Sequence, residues 1–208
     1  MFFKVLSMGG WMMWLLLLLS AVAVATLIER VLLYHREQIN SAEFLSGVRN
    51  VLKRDNVVEA LSICDATPGP VARMVKAAVL SRDKGREGIR EALEEAGAAE
   101  IPRLEEKLNI LATIAQIAPI LGLLGTVVGF MSVFEVLEQG GRYVRIELLS
   151  GGIWKAMICT AFGLAVSVPA YLGYNFLVSR VNSIVLDMER ASTDILNMLS
   201  EKNSGPKA

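Results

Sequence analysis

Between Lys107 and Glu135 the chain reads LNILATIAQIAPILGLLGTVVGFMSVF (residues 108–134), without one Asp, Glu, Lys, Arg or His. Such a run exceeds the roughly 20 residues with which a helix crosses the bilayer core. Two more match it: VLSMGGWMMWLLLLLSAVAVATLI (5–28), between Lys4 and Glu29, and the stretch between Lys155 and Arg180. A 208-residue chain that is 53% hydrophobic, with mean hydropathy +0.47, is too apolar for a soluble domain unless the excess is gathered into spans. The sequence therefore predicts an all-α membrane protein with three transmembrane helices. Its parts are an N-terminal segment with span one (1–28), a water-facing helical domain (29–107), span two (108–134), a short periplasmic loop (135–151), span three (152–179) and a C-terminal cytoplasmic helix and tail (180–208).

Lys4, the apolar run and Ala21-Val22-Ala23-Val24-Ala25 also fit a secretory signal with a cleavage site. The run is longer than the roughly 7 to 15 residues of a signal core, and Trp11 and Trp14 suit an interfacial anchor, so a retained span is the better reading. Arg30, Arg36, Arg103, Lys107, Arg180 and Arg190 flank the long domain and the tail, against Lys4, Arg142, Arg145 and Lys155 on the other side. The positive-inside rule then places the N-terminus outside and both the 29–107 domain and the C-terminus in the cytoplasm of a multi-pass inner-membrane protein.

Within the charged domain Phe44, Val48, Val51, Leu52 and Val58 recur at helical spacing until Thr67-Pro68-Gly69-Pro70 breaks the pattern. Arg82-Asp83-Lys84-Gly85 makes a second break. After Pro102, a residue suited to a helix's first turn, Leu104, Leu108, Leu111 and Ala115 form a stripe that predicts one helix running into span two. In the tail, Val181, Ile184, Met188, Ala191, Ile195 and Met198 alternate spacings of three and four, a seam that implies packing on another helix.

Several chemistries are excluded. Lys and Arg number 21 against 21 Asp and Glu, and no basic block is interleaved with aromatics, so no nucleic-acid surface is expected. Cys64 and Cys159 fall on different sides of a membrane boundary and read as buried small hydrophobes rather than a disulfide. There is no P-loop and no HExxH, the single histidine, His35, sits in a charged context, and no cofactor or metal is expected. The spans hold no Asp, Glu or His, so an intramembrane enzyme is not expected either.

What the spans hold is small and hydroxyl residues. Gly122, Gly125, Thr126 and Gly129 share one helical face of span two, where absent side chains admit a neighbouring backbone and the Thr offers a hydrogen bond at membrane depth. That face predicts self-association. Ala156, Thr160, Gly163 and Ser167 line a second narrow face in span three, and Pro169 can kink that helix.

AQIAPILGLLGTVVGFMSVF (115–134) followed by GGIWKAMICTAFGLAVSVPAYLGYNFL (151–177) resembles the paired signature of the MotA/TolQ/ExbB proton channel family, and is closest to its ExbB and TolQ members. The likeness extends to LSICDATPGPVARMVKAAVL (61–80) and so covers about residues 55 to 180. The resemblance implies long helices in a pentamer around paired single-span helices of an ExbD/TolR-like partner, which supplies the membrane Asp, together with a TonB- or TolA-like energy transducer. It implies an ion path lined by Thr126 and Thr160, with Pro119, Pro169, Tyr174 and Asn175 at familiar positions. The residues point the same way, because a Thr hydroxyl does not titrate at physiological pH and an acid must come from elsewhere.

At Lys155 the sequence departs from the resemblance, since ExbB and TolQ proteins commonly carry Glu there. Lys155 either snorkels to the outer headgroups or forms a basic ring near the pore mouth that pairs with a partner acid. Of the rival readings, a secondary transporter needs its own intramembrane ionisable site or broken-helix repeat, and a non-conducting scaffold for a single-span partner tolerates loss of Thr126 and Thr160.

Overall fold

The structure is a computed structural model that describes residues 10–37, 41–140 and 146–204. Among these residues it is all helix and short turns, with no strand. The helices are α1 (Gly10–Glu37), α2 (Ser41–Lys53), α3 (Val57–Ala66), α4 (Pro70–Leu80), α5 (Gly85–Glu105), α6 (Leu108–Gly140) and α7 (Ile146–Ser204), with a 3-10 turn at Arg82–Lys84. Three of them, α1, α6 and α7, are long and apolar enough to cross a membrane. Lys4, Arg142 and Arg145, used above for orientation, lie outside the described residues.

The chain forms two compact units. One comprises the residues before Arg30 with Lys107–Phe176, the other Arg30–Glu106 with the residues from Leu177 onward.

In the second unit, chain breaks are set by local chemistry. Asp55 takes a left-handed conformation (φ 61), and Asn56 caps α3 by accepting from the Glu59 N–H at 3.3 Å while its own amide donates to the Glu59 carboxylate at 2.8 Å. The sequence reading ran its hydrophobic stripe through this break. Phe44, Val48, Val51 and Leu52 are indeed buried, but Val58, at the start of a new helix, is 79% exposed. At the second break Pro70 opens α4 and Gly69 has φ 112, with a Cβ there falling 2.7 Å from the Glu37 carbonyl oxygen. Only glycine satisfies both the backbone angle and the contact. The third break falls at Arg82–Lys84, as the sequence suggested.

Two part-buried polar assemblies organise this unit. Arg73 makes a two-pronged ion pair with Glu100 (2.7 Å on each arm), with Glu37 at 3.7 Å and Arg103 at 3.4 Å joining the same cluster. The cluster holds the Arg73 guanidinium charge, above all through its hydrogen bond to Glu100. At the end of α5, where helix carbonyls lack amide donors, Arg30 donates to the Arg103 carbonyl (3.4 Å) and to Glu106 (3.1 Å), and the Tyr34 hydroxyl donates to the Leu104 carbonyl (2.5 Å).

Pro102 lies inside α5 rather than in a first turn, and the continuous helix expected from there into span two is interrupted: Lys107 has φ 63 and α6 starts afresh at Leu108. The stripe survives the interruption because Leu104, Leu108, Leu111 and Ala115 are all buried. The loop expected over 135–151 is helical at 135–140 and again from 146. In the tail, Val181, Ile184, Met188, Ala191 and Ile195 are buried as the seam requires, but the next buried residue is Leu199, and Met198 is half-buried, accepting from Arg49 Nε at 3.0 Å. Either residue continues a three-four spacing from Ile195, and packing chose the second. Cys64 and Cys159 are buried free thiols.

Candidate functional site

The small residues of α6 and α7 face one another within a single chain. A Cβ added at Gly163 would lie 2.6 Å from the Ala118 carbonyl oxygen and 2.9 Å from the Gly122 Cα, and one at Gly122 would lie 2.9 Å from the Cys159 carbonyl oxygen. At Gly125 it would meet the Cys159 side chain at 2.7 Å, and at Gly129 the Ala156 Cβ at 2.8 Å. These distances are below what real Cβ contacts show, so the helices touch because these positions carry no side chain. The face expected to drive self-association is thus taken up by the chain's own α7, and the reason is register: Gly122, Gly125 and Gly129 each meet Ala156, Cys159, Thr160 or Gly163 at the same level.

Thr126 and Thr160 meet in the middle of this contact. Their hydroxyls are hydrogen-bonded to each other; the Thr126 hydroxyl also lies 3.2 Å from the carbonyls of Gly122 and Ala156, and the Thr160 hydroxyl 3.2 Å from that of Gly122. Two hydroxyls carry two protons, so no more than two of these four bonds are donated at once. In one order Thr160 donates to Thr126, which donates onward to Gly122 or Ala156. In the reverse order Thr126 donates to Thr160, which donates to Gly122. Both residues are half-buried in the single chain.

A turn and more toward the α6 N-terminus, Pro119 sits inside its helix and leaves the Ala115 carbonyl without its amide donor. Ser167 supplies the missing proton, its hydroxyl donating to Ala115 O at 2.6 Å. Ser167, which the sequence placed only on a narrow face, is therefore paired with the consequence of Pro119, and the signal was available as a proline four residues after Ala115. The sequence reading also missed Cys159 as the surface Gly125 rests on, Val133 against Gly152, and Leu27 of α1 against Gly173.

Of the other expected site residues, Ala156 is buried against Gly129, Lys155 beside it is exposed, Pro169 lies within the continuous α7, Tyr174 is half-buried and Asn175 exposed. The structure gathers Thr126, Thr160, Gly122, Gly125, Gly129, Ala156, Gly163 and Ser167 into one interface. It does not bring Lys155 or Asn175 into it. The described residues include no group of His, Cys, Asp or Glu able to hold a metal.

The chain is similar to the Tol-Pal system protein TolQ of Haemophilus influenzae, 42% identical over 88 residues, which are 42% of this chain and 38% of that protein. It is 34% identical over 174 residues to the putative biopolymer transport protein ExbB-like 1 of Synechocystis sp., covering 82% of this chain and 68% of that one. It is 28% identical over 205 residues to the biopolymer transport protein ExbB of Neisseria gonorrhoeae, covering 91% of each. The match thus spans well under two thirds of the TolQ relative. A family model described as the MotA/TolQ/ExbB proton channel family matches residues 66–190, a stretch that holds the whole α6–α7 contact and more than half of the chain. This multi-pass membrane protein belongs to the MotA/TolQ/ExbB proton channel family and is of the ExbB/TolQ type.

Proposed function

We propose that the chain is the ring-forming channel subunit, or stator, of an inner-membrane motor that couples the proton gradient to energised transport or envelope work. The observation that carries this reading is the Thr126–Thr160 hydroxyl pair, a reversible polar link set in an otherwise close-packed contact between two spanning helices. In this reading the subunit is a homo-oligomer, a pentamer by family resemblance, with its N-terminus periplasmic and its C-terminus cytoplasmic.

The pair relays or solvates charge but cannot be the titrating group, and the spans contain no acid of their own. A carboxylate at mid-membrane costs about 2.5 to 3.5 kcal/mol and needs a polar lining. The acid therefore rides on a single-span ExbD/TolR-like partner, and a TonB- or TolA-like transducer takes up the work. One proton crossing 100 mV releases about 2.3 kcal/mol, which protonation of that moving carboxylate converts into motion. Lys155, exposed at the outer end of α7, is a further charge at the mouth of the path.

Reconstitution tests this. The chain alone in liposomes passes few protons; addition of the single-span partner permits flow that stops when the partner's membrane Asp is replaced by Asn. Strong conduction by the chain alone would sink the stator reading in favour of an autonomous channel.

A further inference from the structure

Two prolines interrupt the amide ladder of the α6–α7 pair, and among the described residues a side chain repairs only one of the gaps. Pro119 frees the Ala115 carbonyl, which Ser167 satisfies. Pro169 in α7 frees the Ala165 carbonyl in the same way, and no side chain among the described residues donates to it. Ala165 is exposed on the single chain, in a span where an unmet backbone carbonyl is costly.

A matching donor stands unused on the other helix. Gln116 is exposed, and its side-chain amide has no hydrogen-bond partner among the described residues. Depth follows from the register of the pair: Gly122 lies opposite Gly163, and Ser167 reaches Ala115. Gln116 is one residue beyond Ala115, so it lies at the level of about residues 166–168 of α7, within about a residue rise (1.5 Å) of where the Ala165 carbonyl points. The two groups nevertheless sit on outer faces. At 100° per residue Gln116 is roughly 160° around α6 from Ala118, and Ala165 roughly 160° around α7 from Gly163, the residues through which the helices touch.

A donor and an acceptor at equal depth, on opposite outer faces of one helix pair, cannot meet within one copy. They meet when copies are arranged head to tail around an axis along the membrane normal, because rotation about that axis preserves depth. We propose that the Gln116 side chain of one copy donates to the Ala165 carbonyl of the next, so that a second copy of this chain is the occupant of the outer face of α6. This rests on the ring proposed above and names the contact that closes it. Lipid chains offer no donor, and the proline gap is filled by the chain's own glutamine.

A mutant cycle separates this contact from general packing. Gln116→Leu should shift the oligomer dissociation midpoint of the full chain, followed by native mass spectrometry in detergent, by roughly threefold per contact, the effect of an average hydrogen bond between membrane helices. Pro169→Ala restores the amide that Ala165 lacks, so the same Gln116→Leu change in that background should produce no shift. As an independent readout, Gln116→Cys with Ala165→Cys, in a chain with Cys64 and Cys159 replaced by Ala, should give a ladder of linked copies with a short bis-methanethiosulfonate. An intact ring with no ladder, or an equal Gln116→Leu effect in both backgrounds, would overturn the contact and leave the ring standing. A wild-type chain that is monomeric throughout would overturn both.

Discussion

Ser167 donates its hydroxyl to the Ala115 carbonyl at 2.6 Å, the carbonyl that Pro119 deprives of an amide. Ser167→Ala should therefore lower stability by about 0.6 to 1.7 kcal/mol, the range for hydrogen bonds between membrane helices. Combining it with Pro119→Ala should recover most of the loss, since that second substitution restores the backbone N–H. Thermal melts of the four proteins in one detergent check this; no recovery would mean that Ser167 acts through packing.

Removing both hydroxyls of the central pair with Thr126→Val and Thr160→Val keeps shape and deletes every side-chain donor to the Gly122 and Ala156 carbonyls. The expected outcome is an assembled complex whose gradient-dependent activity is lost, while each single variant retains one hydroxyl within reach of the Gly122 carbonyl. Normal activity of the double variant would show that the pair is only an adhesive.

Gly163→Ala places a methyl 2.6 Å from the Ala118 carbonyl oxygen, a backbone atom that cannot turn aside. The helices must separate, at a cost of about 1 to 3 kcal/mol. Gly151→Ala, where a Cβ meets nothing within 4 Å, is the control. The melting temperature of the first should fall well below that of the second.

Cys64 should resist alkylation. Burial, and then the Asp65 charge, push its thiol up to about 11, so the reactive thiolate is scarce at neutral pH. Because this folded value is above the ordinary 9.0, the proton is held by the folded state, and any stability it contributes is kept below pH 9 and lost toward pH 11. In a Cys159→Ala background, maleimide-type labelling should rise steeply over that window and be fast at pH 7 only after unfolding.

Length and charge alone placed the three long apolar helices, because a span's composition is dictated by lipid. The small-residue faces were legible too, since absent side chains leave a periodic trace. Their partner was not: Gly122 and Gly129 read the same whether they meet another copy or the chain's own Gly163 and Ala156, and only register in space decides. Breaks made by one left-handed residue, at Asp55 and Lys107, were hidden because neither position carries glycine. Asn56 with Glu59 three residues later was a readable helix start that the stronger hydrophobic period masked.

The Thr126–Thr160 link has two proton orders that differ only in which oxygen donates, and exchanging them moves no backbone atom. The contact is therefore rigid in its heavy atoms and soft in its dipole. A link made only by fixed carbonyls and amides holds one polarity; this one reorients on the timescale of a hydroxyl rotor, as water would, while excluding water's volume. Mechanical stiffness and dielectric compliance, which usually trade against each other in a helix interface, are held here by the same two side chains.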